Sequence, residues 1–177
     1  NNTYIVIVTA TDNGSLTDSQ TITVTVTDVN DAPVITSNSG GSTASISYAE
    51  NSTSTVTTVV STDEDGDTRT YSKSGTDAAD FSINSSSGAL TFASTPNYES
   101  AADADGNNTY IVIVTATDNG SGSLTDTQTI TITVTDVNEV PLITSNSGGS
   151  TASISYAENS TSTVTTVASS DVDSGSS

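Results

Sequence analysis

The 177-residue chain carries 21 acidic residues against two basic ones, Arg69 and Lys73, and no histidine, for a formal charge of −19. That charge repels phosphate backbones and anionic headgroups, which excludes nucleic acid and membrane contact as functions of this segment. With no cysteine there is no disulfide framework or thiolate metal site. No apolar run approaches the ~20 residues that span a bilayer, and no secretory signal is read, so an export address is expected outside this stretch.

Residues 20–27 alternate threonine or glutamine with Ile22, Val24 and Val26, the period of a half-buried strand. An acidic connector follows, Asp28-Val29-Asn30-Asp31-Ala32-Pro33. Short strands are predicted at 46–48, 56–60 and 68–72, with an acidic loop, Asp63-Glu64-Asp65-Gly66-Asp67, before the last of them. Residues 81–83 and 90–92, joined by Asn84-Ser85-Ser86-Ser87-Gly88, read as a hairpin. Residues 110–116 are apolar on both faces and suit a central strand, and 128–135 repeat the alternation of 20–27. Between them lies a turn-rich loop at 118–123, and a second acidic connector runs from Asp136 to Pro141. No segment shows a helical period.

Residues 1–15 return identically at 107–121, 22–29 map onto 130–137, and 35–58 return at 143–166, the last two by a shift of 108. A period of that length suits a complete small domain with its own core rather than a solenoid turn. The division expected is 1–31 for the end of one unit, 32–139 for a complete unit and 140–177 for the start of the next, with both ends read as cuts in a longer polypeptide. About seven strands per unit predict an all-β, immunoglobulin-like Greek-key sandwich, repeated and stacked end to end. In such a fold, with strands lettered A to G, Glu50 and Glu99 fall at the bottom of the unit. Asp63, Asp65, Asp67 and Asp118 fall at the top.

On these motifs the chain resembles the cadherin repeat, in the variant found in large bacterial surface proteins. Glu50-Asn51 is similar to the acidic end of that family's first strand, Asp63-Glu64-Asp65 to its Asp-x-Asp loop, Ala116-Thr117-Asp118 to its Ala-x-Asp loop, and residues 28–33 to its linker. The resemblance implies calcium at the junctions between units. Two positions depart from the family pattern. Asn97-Tyr98-Glu99 stands for Asp-Arg-Glu, so one carboxylate becomes an amide, and Glu139 replaces a linker aspartate. Asp103 and Asp105 are candidates to compensate.

Calcium takes six to eight hard oxygen ligands, which clustered carboxylates, amides and backbone carbonyls supply. Two carboxylates ~4 Å apart repel by ~4 kcal/mol at an effective dielectric of about 20, so a cation converts a repulsive hinge into a joint. At the first junction the assigned ligands are Asn30, Asp31, Asp63, Asp65 and Asp118, with the Ala32 carbonyl. Asp12, the counterpart of Asp118, serves the junction before it. The second junction uses Glu50, Glu99, Asn138, Glu139, Asp171 and Asp173. Extracellular calcium modules bind at ~10⁻⁴ to 10⁻³ M, a range suited to seawater or host fluids.

Asp67 and Asp103, taken singly, read as solvated turn residues, and Asn51 and Asn97 as turn formers. A glycosidase pairing of Glu50 with Glu99 lacks a substrate cleft, and the serines lack an activating base, so no enzyme activity is expected. Lys73 reads as a solvated lysine rather than one partner of an isopeptide bond. The Thr-x-Thr rows read as ordinary exposed strand residues rather than a surface matched to ice or a crystal. The sequons at Asn13, Asn51 and Asn119 matter only in a glycosylating host. The leading reading is a calcium-rigidified, non-catalytic extender in a giant extracellular adhesin or surface filament, secreted or on a bacterial surface. The alternative is that the units themselves adhere, to one another, to glycans or laterally in a fibre. Partners are then neighbouring repeats, identical chains or other cell-surface molecules.

Overall fold

A computed structural model describes residues 2–173. The strands are β1 (Thr3–Thr11), β2 (Thr17–Thr25), β3 (Val34–Ile35), β4 (Thr43–Ala49), β5 (Thr57–Thr58), β6 (Ser61–Thr62), β7 (Thr70–Ser74), β8 (Phe81–Ile83), β9 (Ala89–Phe92), β10 (Thr109–Thr117), β11 (Thr125–Thr135), β12 (Leu142–Ile143) and β13 (Ser169–Ser170). A single 3₁₀ turn at Ala78–Asp80 is the one helical element among the described residues.

Between β3 and β11 the chain builds a complete Greek-key sandwich. One sheet runs β4-β11-β10-β7, with β4 parallel to β11 and the other pairs antiparallel. The second face is β5-β9-β8 together with β3-β6. The alternation in β11 turns Gln128, Ile130, Ile132 and Val134 inward and its threonines outward. Val112 and Val114 of β10 oppose them from the neighbouring strand and are fully enclosed. Across the sandwich Tyr48, Phe81, Phe92 and Tyr110 form one aromatic group, with Phe81 and Tyr110 edge to face at 5.9 Å between centroids. Edge-to-face contact places positive ring edges over negative faces and adds ~0.5–1.5 kcal/mol per pair to simple burial.

The predicted strands are present, most with shifted ends, except at 56–60. Residues 128–135 extend back to Thr125, and the strand expected at 68–72 begins at Thr70. The strand predicted at 56–60 is replaced by two short ones. Val59 gives its amide to Gly88, and the Val60 carbonyl accepts from the amides of Thr36 and Ser37. The chain therefore leaves the β9 edge and joins β3, a strand the sequence reading did not include.

Buried polar groups fasten the loops to this core. Gln128 is fully enclosed, accepts from the Asn38 side chain at 2.9 Å and donates to the Gly41 carbonyl at 3.0 Å, which ties the loop after β3 against β11. Asp77, 4 % exposed, accepts from the amides of Ala104 and Ile111 and pins the insertion before β10.

The segments flanking the sandwich show how much of the fold is tertiary. β1 and β2 pair in the register of β10 and β11, yet Tyr4 is 61 % exposed where its counterpart Tyr110 is 1 % exposed. Residues 151–157, the counterpart of β4, form no strand, whereas β4 itself lies paired along β11.

Candidate metal centre

Two groups of carboxylates stand at opposite ends of the sandwich. At its entry, oxygens of Asp63, Asp65 and Asp67 lie within 4.8 Å of one another. The loop that carries them is shaped by Asp63, whose Oδ1 accepts from the amides of Asp65 at 3.0 Å and Asp67 at 3.1 Å. The connector meets this loop directly. The Asp31 amide donates to Asp65 Oδ2 at 2.7 Å, and Asn30 Nδ2 donates to Asp118 Oδ2 at 3.0 Å. Asp118 is 4 % exposed, and its other oxygen receives the amides of Gly120 and Leu124, which closes the β10–β11 loop.

Glycine at position 120 leaves room for two side-chain oxygens. A Cβ there would lie 1.8 Å from Asn30 Oδ1 and 2.1 Å from Asp67 Oδ2, so both oxygens converge over the bare backbone. Burial, then the charges of Asp63, Asp118 and Asp65, push the Asp67 carboxyl above its ordinary value.

At the exit of the unit, oxygens of Glu50, Glu99, Asp136 and Glu139 fall within 4.8 Å of one another. Glu50 is 2 % exposed and grips two elements, accepting from the Val137 amide through Oε1 and the Tyr98 amide through Oε2, each at 2.8 Å. The Asn51 side chain donates to Glu139 Oε1, and the Glu139 amide donates to Asp173 Oδ2 at 2.7 Å. Asp171 accepts from the Asp173 amide at 3.0 Å, as Asp63 does from Asp65. Asn138 donates to the Glu139 carbonyl at 2.9 Å. Burial first, then Asp173 and Glu50, push Asp136 up. Glu139 is raised by burial first, then by the adjoining Asp173 carboxylate and the charge of Glu50.

The donor set fits a hard divalent cation. It is all oxygen, as calcium prefers. In addition, Asp63 Oδ2, Glu139 Oε2 and Asp173 Oδ1 are enclosed atoms without a hydrogen-bond partner. Buried carboxylate oxygens in that condition are costly unless a positive charge faces them.

The structure brings oxygens of Asp63 and Asp65 together with Asp67 at one end, and oxygens of Glu50, Glu99 and Glu139 together with Asp136 at the other. Asn30 reaches Asp118 and the Asp31 amide reaches Asp65, Asp173 accepts from the Glu139 amide, and Asn138 and Asp171 bond within their own segments. Asp12 stands apart in the β1–β2 turn, where it accepts from the Gly14 and Leu16 amides, each at 2.8 Å, as Asp118 does in its own loop. Ala32 is exposed, with its carbonyl in the connector. Asp103 and Asp105 do not replace the carboxylate missing at Asn97. Asp103 is 6 % exposed, accepts from the Asn107 and Asn108 amides, and neighbours Asp80 instead. Two members escaped the sequence reading, Asp67 and Asp136. Their signals were the third acid of the Asp-x-Asp-x-Asp run and the acid that opens each connector, Asp28 and Asp136 alike. Lys73 donates to the Ala78 carbonyl at 2.5 Å.

A Greek-key sandwich entered and left by acidic connectors that carboxylates on either side hold in place defines a repeat module of the adhesion-domain class. The cadherin-domain family model matches residues 43–135, more than half of the sequence, and the chain belongs to the cadherin family. Solved cadherins share the fold. Mouse cadherin-23 EC22–24 is 26% identical at a TM-score of 0.56, over 77% of this chain and 43% of its own. Protocadherin gamma B7 extracellular cadherin domains 1–4 are 24% identical at 0.59, over 97% and 41%. Drosophila N-cadherin EC1–4 is 24% identical at 0.53, over 72% and 30%. The chain spans less than half the length of each. No curated protein matches the sequence. Cadherin domains are extracellular, non-enzymatic adhesion modules that generally bind Ca²⁺. No helix among the described residues is long and apolar enough to cross a membrane.

Proposed function

We propose that the chain is a run of calcium-rigidified extender repeats in a giant extracellular adhesin or surface filament of a bacterium, and that its own units carry no catalysis. The observation that carries this reading is a contact made twice. The Asp31 amide meets Asp65 and the Glu139 amide meets Asp173, each across 34 residues and each at 2.7 Å, so successive connectors are held in the same way. Bound calcium supplies the positive charge these carboxylate groups face. Asp63, Asp65, Asp67, Asn30, Asp31 and Asp118 hold it at the first junction, with the Ala32 carbonyl beside them. Glu50, Glu99, Asp136, Asn138, Glu139, Asp171 and Asp173 hold it at the second. Asp12 serves the junction before both. Without the cation the same groups repel, and the connector between units loosens.

The test is small-angle scattering on a chain with two complete units, titrated with calcium and then with chelator. The maximum dimension is expected to rise and the flexibility to fall near millimolar calcium. An unchanged, flexible profile would sink the extender reading and leave the acidic loops as solvated turns.

A further inference from the structure

The outer face of the four-stranded sheet has no charge, on a chain whose net charge is −19. Thr127, Thr129, Thr131 and Thr133 of β11 form its central column. The pairing sets Thr131 between Ser45 of β4 and Ile111 of β10, and Thr115 of β10 between Thr127 and Ser72 of β7. Every outward position of the four strands is threonine, serine, isoleucine or alanine. Ile111, 41 % exposed, gives the face an apolar centre. The one carboxylate of β11, Asp126, points away and accepts from the Ile35 amide at 2.7 Å. The hydroxyl array is therefore four strands wide, where the sequence showed a single Thr-x-Thr strand per unit.

We propose that this face is a lateral docking surface for a second copy of the same chain. The first argument is charge. Two copies repel wherever their carboxylates approach, and this face lets them come together without burying any. The second is shape. Neighbouring strands rotate by about −20 to −25°, so the face is a saddle that fits another sheet of the same twist at ~10 Å separation better than it fits a flat crystal plane. The third is side-chain chemistry. Threonine is β-branched and loses little rotamer freedom, its methyl packs, and its hydroxyl both donates and accepts, so facing columns satisfy one another. At strand spacings of ~4.8 Å and rises of ~3.3 Å the face covers about 500 Å² per copy, or ~1,000 Å² for a pair, the low end of specific interfaces. A single contact of that size is weak, but the face recurs. Thr21, Thr23 and Ile5 of the first partial unit repeat Thr129, Thr131 and Ile111, so an array presents the surface once per unit and gains avidity.

The experiment is sedimentation velocity of the 177-residue chain in calcium at moderate salt, across micromolar to millimolar concentration. Thr131→Glu is compared with Ser82→Glu, an exposed position on the opposite sheet. The parent and Ser82→Glu are expected to associate alike. Thr131→Glu, with its melting temperature unchanged, is expected to associate at least ~10-fold more weakly. An equimolar mixture of Thr131→Glu and Thr131→Lys is expected to recover association, an outcome a folding defect cannot produce. A parent that stays monomeric overturns the proposal. So does Thr131→Glu associating like the parent, which would assign the contact to another surface such as the exposed β1–β2 hairpin. Retention on ice or crystalline polysaccharide without self-association would replace the second copy with a planar neutral surface.

Discussion

Gly120 shows how a single hydrogen shapes the first junction. Asn30 Oδ1 and Asp67 Oδ2 occupy the space a methyl group would take, and both are ends of side chains that can swing away. Gly120→Ala is therefore expected to leave the fold within about 0.5 kcal/mol of the parent in chelator, as a surface change without backbone strain does. Calcium affinity at that junction should fall ~10-fold or more, the size of effect seen when groups positioning metal ligands are removed. Denaturant unfolding in chelator reads the first quantity and calorimetric titration with calcium the second, and an unchanged affinity would remove Asp67 and Asn30 from the site. Much of the site is legible in the sequence because carboxylates recur at matched places, as Glu50, Asp63, Asp65 and Asp118 do. Asp67 and Asp136 are not legible in that way. An acid in a turn is ordinary, and only the folded loop shows Asp67 facing Asp118, or Asp136 facing Glu50.

The hairpin β8–β9 depends on Gly88, whose φ of +71° suits glycine and whose added Cβ would stand 2.1 Å from the Val59 carbonyl oxygen. That neighbour is backbone and must move as a unit with β5. Gly88→Ala is expected to cost about 2–4 kcal/mol, combining left-handed strain with overpacking. Denaturant unfolding checks this, and a loss under about 1 kcal/mol would mean the hairpin shifts freely. The long strands were readable for a reason visible here. β10 and β11 span nine and eleven residues, long enough for their patterning to show. β3 has two residues and β5 and β6 have two each, so no period exists to detect. Their existence rests on non-local hydrogen bonds, Val59 to Gly88 and Thr36 to Val60, that no local pattern encodes.

Across the whole molecule, crowded carboxylates set how stability responds to pH. Asp67, Asp136 and Glu139 are each raised above ordinary values of 3.8, 3.8 and 4.5, by burial first and then by neighbouring carboxylates. The calcium-free native state therefore holds more protons than the unfolded chain above those values, and its stability falls as pH rises through that interval. Asp103 acts in the opposite sense. Burial pushes it up, but the Asn107 amide, the Asp105 side chain and the Asn108 amide outweigh that and hold it below 3.8. Its contribution is present above 3.8 and is lost as pH falls through the lower, folded value. The two windows lie on either side of the ordinary carboxylate range, so calcium-free protein should be most stable within that range and less stable both at neutral pH and in strong acid. Calcium inverts the upper limb, because its ligands are deprotonated carboxylates and binding releases their protons. Melting temperatures across an acid-to-neutral series, with and without calcium, measure this directly. A calcium-free curve that climbs steadily to neutrality would show that the junction carboxylates do not repel, and the cation would then have no strain to relieve.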